Sequence, residues 1–139
     1  MRPESREFLT KLLNTPSPTG FETAGQQVWL DYVRPYVDTY FTDTYGTVVG
    51  VVNPEATYKV VIEAHADEIS WFVNYITKEG YLYLRRNGGS DALIAPSKRV
   101  VIHTAKGPVP AVFGWPAIHV RKVEQDKAPT ISGLRRRLG

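Results

Sequence analysis

The 139-residue sequence contains no cysteine. Disulfides, thiolate zinc sites and a cysteine nucleophile are thereby excluded, and a reducing compartment is favoured. Long apolar runs are missing as well: none approaches the ~20 residues that a membrane helix requires. Met1 to Thr10 carries charges throughout and lacks the apolar stretch of a secretory signal. A cytoplasmic protein without membrane partners is the expectation. Several chemistries are absent with their motifs. No Gly-x-Ser-x-Gly elbow, no Gly-Lys-Ser/Thr phosphate loop and no Gly-x-Gly-x-x-Gly turn occurs, and no serine sits in a motif that would activate it. The net charge is only +3, and Arg135, Arg136 and Arg137 lie together near the end. A nucleic-acid surface needs a basic face along its length, interleaved with aromatics. A basic end reads instead as a solvated terminus, so no nucleic-acid partner is expected.

What is present suffices for about one domain with one sizeable core. Phe8, Leu9, Leu12 and Leu13 fall at helical spacing, and the Thr15-Pro16-Ser17-Pro18-Thr19-Gly20 stretch stops that helix. Thr19 with Glu22 three residues later predicts a capping box opening a second helix. Phe21, Val28, Trp29, Tyr32, Val33 and Tyr36 supply its buried face. The pattern then turns to strands over Val37 to Asp43 and Gly46 to Asn53. Tyr58 to Ile62 is a continuous apolar run of the kind found in a strand buried on both sides. Ile69 to Ile76 and Tyr81 to Leu84 flank Lys78-Glu79-Gly80 as a hairpin, and Arg99 to Thr104 with Pro108 to Phe113 flank Ala105-Lys106-Gly107 as another. Helices followed by a strand-rich half predict an α/β or α+β chain with a small barrel or sheet as its second unit.

The chemistry concentrates in Val60-Val61-Ile62-Glu63-Ala64-His65-Ala66-Asp67-Glu68. In extended chain, residues two apart share a face, so Glu63, His65 and Asp67 point the same way. A histidine ligand needs its second ring nitrogen held, commonly by a carboxylate, and Asp67 is placed to hold His65. The plain alternative is a polar cluster marking the end of a strand at the surface. One histidine does not make a catalytic zinc site, which takes three protein ligands. His103 and His119 lack carboxylates at ligand spacing and read as structural.

The order of these segments resembles the glutamyl and deblocking aminopeptidases that build tetrahedral, TET-type particles, some of them once labelled endoglucanases. The likeness runs from Phe8-Leu9-Thr10-Lys11-Leu12-Leu13 through Pro16-Ser17-Pro18-Thr19-Gly20-Phe21-Glu22 to Asp43-Thr44-Tyr45-Gly46-Thr47. At Thr47 the family usually carries asparagine. The strongest match is Ala64-His65-Ala66-Asp67-Glu68-Ile69. Gly80, Gly88-Gly89, the strand near Val100 to Thr104, Gly107, Gly114 and Ile118-His119 follow in the family's order.

The resemblance implies that His65 is a ligand of one of two adjacent divalent cations, zinc or cobalt, and that Asp67 orients it. It implies release of N-terminal residues from short peptides, with a metal-bound water as nucleophile. It also implies an α/β architecture: residues 1–68 as the first part of a peptidase domain with two helices and a mixed sheet, then residues 69–128 as an incomplete PDZ-like β-barrel. In the family that barrel helps join subunits into dimers and dodecamers. Residues 129–139 fit neither pattern and read as an aberrant basic tail. The family's bridging aspartate, Glu-Glu pair, further aspartate and last histidine have no counterpart here. The chain is therefore expected to be truncated, to bind metal weakly at most, and to be inactive alone. The competing reading is a non-catalytic assembly module that uses the strand-rich half.

Overall fold

The computed structural model describes residues 1–120 and the backbone of residues 136–137. The chain divides into two compact units, Met1–Glu68 and Ile69–Gly139.

In the first unit, helix α1 spans Pro3–Asn14. Proline in its first turn has no amide to leave unsatisfied, and Glu4 and Lys11 lie at the ends that favour their charges. Helix α2 spans Thr23–Val33 and leads into a short 3₁₀ turn, Arg34–Tyr36. The two helices meet through Phe8 stacked on Tyr32, ring centroids 3.9 Å apart, and through Ser5 Oγ and Tyr32 Oη at 3.0 Å. Strands β1 (Thr39–Thr42) and β2 (Val48–Val51) form an antiparallel hairpin, Thr39 opposite Val51. Its turn is built on Asp43, whose Oδ1 accepts from the amides of Tyr45 and Thr47, each at 2.9 Å. Gln26 of α2 bridges to this hairpin. Its Nε2 donates to Gly46 O at 2.6 Å and its Oε1 accepts from Val48 N at 2.8 Å.

The second unit holds strands β3 (Ser70–Ile76) and β4 (Tyr81–Asn87), antiparallel with an irregularity between Val73 and Tyr75. Gly80, at φ +82°, takes the left-handed turn conformation that side chains resist. Strands β5 (Arg99–Thr104) and β6 (Gly107–Val112) form a second antiparallel hairpin. The core here is Phe113 and Ala95, with Trp71, Leu84, Val100 and Trp115 packed around them. Trp71 meets Phe113 edge-on at 4.8 Å. The short β7 (Arg136–Arg137) pairs with Tyr81 and Leu82 on β4, where no strand was expected; the rest of the basic tail lies outside the described residues.

Four expectations are corrected. Tyr58 to Ile62 is not a buried strand: it joins no ladder among the described residues, and Ile62 is 94 % exposed. An apolar run becomes a central strand only where neighbours exist to take its backbone groups, and among the described residues β1 and β2 pair with each other alone. Among the described residues the sheets are accordingly small and antiparallel, with an isolated parallel bridge, Pro18 to Glu68, in place of the expected mixed sheet. The capping box also fails. Helix α2 starts at Thr23 with Glu22 as its N-cap and no side-chain cap bond, while Glu22 Oε1 accepts from Gly20 N at 2.6 Å. The α2 face buries Gly25, Val28 and Leu30, leaving Phe21 and Tyr36 exposed.

Candidate functional site

The site is assembled by the proline-bounded loop after α1, which meets residues 66–68. Ser17 N donates to Glu68 Oε1 at 2.9 Å, Glu68 N donates to Ser17 O at 2.8 Å, and Ser17 Oγ donates to Ala66 O at 2.7 Å. Ser17 is buried, and it lies so close to α2 that a Cβ on Gly25 would stand 2.7 Å from its Oγ. Only glycine lets the helix approach this far. The segment that runs from Tyr58 to Glu68 is thus gripped at its C-terminal end by the loop.

Within that grip, His65 and Asp67 come together. His65 Nδ1 lies 2.8 Å from Asp67 Oδ1 and 3.1 Å from the Asp67 backbone carbonyl. Both neighbours are acceptors, so Nδ1 carries the proton, and in the neutral ring this leaves the lone pair on Nε2. The other carboxylate oxygen, Oδ2, accepts from Thr19 Oγ1 at 2.6 Å. The Thr19 bond first, and the His65 bond next, hold the Asp67 carboxyl below its ordinary range, against a smaller opposing effect of desolvation. Glu68 is engaged by Ser17, while Glu63 is exposed. His103 and His119 are exposed elsewhere, on β5 and in the 3₁₀ turn Ile118–Val120.

This donor set fits part of a metal site: one exposed imidazole, its tautomer fixed, its orienting carboxylate ionised. Among the described residues no group of three or more His, Cys, Asp and Glu side chains converges. The contact between His65 and Asp67 follows from their spacing, whereas the bonds that Ser17 and Thr19 make to residues 66–68 do not. A serine and a threonine in a proline-rich loop signal a turn or cap locally, and nothing nearby in sequence points to partners some fifty positions away.

The sequence model of the M42 glutamyl aminopeptidase family matches residues 46–135, more than half of the chain. The chain belongs to the M42 glutamyl aminopeptidase family. Lysyl aminopeptidase of Pyrococcus furiosus is 30% identical over 128 residues, covering 90% of this chain and 36% of that protein. A TET aminopeptidase from a marine sediment archaeon of the Thaumarchaeota superposes with TM-score 0.91 at 27% identity, covering 98% of this chain and 38% of the other. The TET1 peptidase of Pyrococcus horikoshii, which assembles into a tetrahedron or a large octahedral shell, superposes at 0.79 with 25% identity, over 96% of this chain and 40% of that one. The M42 chain described here thus spans well under half the length of these relatives. Its mixed α/β architecture of two helices and small antiparallel sheets matches the corresponding part of the TET aminopeptidase. No helix among the described residues is long and apolar enough to cross a membrane.

Proposed function

We propose that this chain forms the N-terminal part of a metal-dependent aminopeptidase that releases N-terminal residues from short peptides. The observation that carries the reading is the 2.8 Å contact between His65 Nδ1 and Asp67 Oδ1 inside the family-matched region. His65 would hold one divalent cation, zinc or cobalt, through Nε2, and Asp67 would fix the imidazole and raise its basicity. A pair of such cations supplies Lewis-acid activation of water and of the scissile carbonyl when bound. In this reading the described residues contribute one ligand, His65, and its orienting carboxylate, Asp67. Residues 1–68 belong in this reading to the peptidase domain and residues 69–128 to a PDZ-like barrel that serves assembly. The exposed apolar side chains of β3, Phe72, Val73, Tyr75 and Ile76, support a homo-oligomer built through that half. A cytoplasmic location goes with the cysteine-free composition.

Catalytic zinc takes three protein ligands, and loss of a general base alone removes roughly 10² to 10⁴ in rate. The 139-residue chain is therefore expected to hydrolyse aminoacyl-nitroanilides and short peptides no faster than background, with zinc, cobalt or manganese added. A chimera in which residues 1–128 replace the matching stretch of the Pyrococcus furiosus relative is expected to turn over with metal and to lose that turnover in His65→Ala. Metal-dependent hydrolysis by the chain alone that His65→Ala abolishes would overturn this expectation and show that the chain builds a working site by itself. A chimera equally active with alanine at 65 would remove His65 from the metal.

A further inference from the structure

The geometry points to Thr19 as a positioning residue, which holds Asp67 so that Asp67 in turn fixes the His65 ring with Nε2 available. The proposal rests on the reading of His65 as a ligand and adds a residue to it. An exposed histidine–carboxylate contact is weak by itself, because solvent competes and two side chains must be ordered for one contact. His65 is 85 % exposed at its side chain and Asp67 34 %, so their contact needs further support to persist. Asp67 finds it at its second oxygen. With Oδ1 on His65 Nδ1 and Oδ2 on Thr19 Oγ1 at 2.6 Å, the carboxylate is held at both ends, and its χ2 rotation is stopped.

Of the hydroxyl's two described acceptors, the Glu68 carbonyl is much the farther at 3.4 Å, and a carboxylate oxygen 2.6 Å from a hydroxyl takes its proton. The backbone beneath is pinned on both sides of residue 67. Ser17 Oγ holds the Ala66 carbonyl, and the Ser17 backbone pairs with the amide and carboxylate of Glu68. Thr19 thereby links the loop after α1 to the orientation of a ring it does not touch.

The test reads the tautomer of His65 in the full chain, without added metal and at one fixed neutral pH, from the chemical shifts of its two ring nitrogens. The wild-type chain is expected to show the Nδ1–H form. Thr19→Val, close in shape and lacking the hydroxyl, is expected to shift the tautomer ratio roughly fivefold toward Nε2–H, the ratio one hydrogen bond of ordinary net strength commands. Thr19→Ser is expected to restore it. The competing holder of Nδ1–H is the Asp67 backbone carbonyl at 3.1 Å. If that carbonyl alone fixes the ring, Thr19→Val leaves the tautomer unchanged and the proposal falls. Loss of the α1 and α2 amide signals in both Thr19→Val and Thr19→Ala would also overturn it, by making Thr19 a residue of the fold alone. Because no metal is present, the outcome is separable from the ligand reading. A His65 that binds no metal in the chimera leaves this measurement intact, and an unmoved tautomer leaves the ligand reading standing on His65 and Asp67.

Discussion

Replacing Gly25 by alanine sets two opposed effects against each other within one helix turn. In an isolated helix the change gains about 1 kcal/mol, since glycine is that much less favourable than alanine in a helix interior. In α2 the new Cβ would lie 2.7 Å from Ser17 Oγ and 3.1 Å from Ser17 Cβ. Contacts that short oblige the helix or the loop to move, and overpacking of this kind typically costs about 1–3 kcal/mol. If the serine rotates away it also surrenders its 2.7 Å bond to Ala66 O, worth about another 1 kcal/mol in net terms. The sum is a net destabilisation of about 1–3 kcal/mol, opposite in sign to the propensity argument. Urea unfolding followed by circular dichroism of the helices measures it. The stronger form of the test is a cycle with Ser17→Gly, which removes both clashing atoms. In that background Gly25→Ala should become stabilising, with a coupling of at least about 1 kcal/mol between the two sites. A Gly25→Ala chain as stable as wild type, or the same effect in both backgrounds, would refute the close approach of loop and helix.

The remaining predictions concern other supports. Asp43 is held below the ordinary carboxylate value of 3.8, foremost by the Thr47 amide, against desolvation and with help from Tyr45 and Gly46. A depressed carboxyl stabilises above its unfolded value, so this contribution should be complete at neutral pH and vanish as pH falls below about 3.8 through the folded value. Asp43→Asn should flatten the acid limb of the melting profile, and an unchanged limb would remove Asp43 from the turn. Gln26→Leu strips two bonds from part-buried backbone groups of the β1–β2 hairpin and should cost about 1–3 kcal/mol in urea unfolding; no measurable cost would mean water replaces the glutamine. Phe113 is 2 % exposed, and Phe113→Ala should cost about 3–5 kcal/mol and red-shift tryptophan emission as Trp71 loses its edge-on partner. Unmoved emission would place the core of that unit elsewhere.

Much of the fold was legible because its signals are local. The Phe8, Leu9, Leu12, Leu13 stripe and the following prolines announce α1, and Gly80 and Gly107 sit at the turns of the two hairpins that alternating strand residues predict. His65 and Asp67 were legible for the same reason, lying two residues apart. The errors share an opposite cause. Thr19 had the right neighbour for a capping box, but α2 begins only at Thr23, with Glu22 at its N-cap, and the Thr19 hydroxyl donates instead to a carboxylate 48 positions away. Tyr58 to Ile62 carries a strand's composition, but a strand is defined by what lies beside it, and no neighbour takes up its backbone among the described residues.

The clasp between residues 17–19 and 66–68 bears also on the time course of folding. Its bonds join positions 48 to 51 apart, whereas the helices and hairpins close over a few residues each. Closing a loop of that length costs entropy before any contact rewards it. The helices and the β1–β2 hairpin are thus expected to form early, and the clasp to lock late and open first. In native-state hydrogen exchange the Glu68 amide, donated to Ser17 O, would then exchange through a local opening well before the interior amides of α2. That one amide acts as a clock for the imidazole and carboxylate beside it, reporting how often the chain takes its candidate site apart without unfolding.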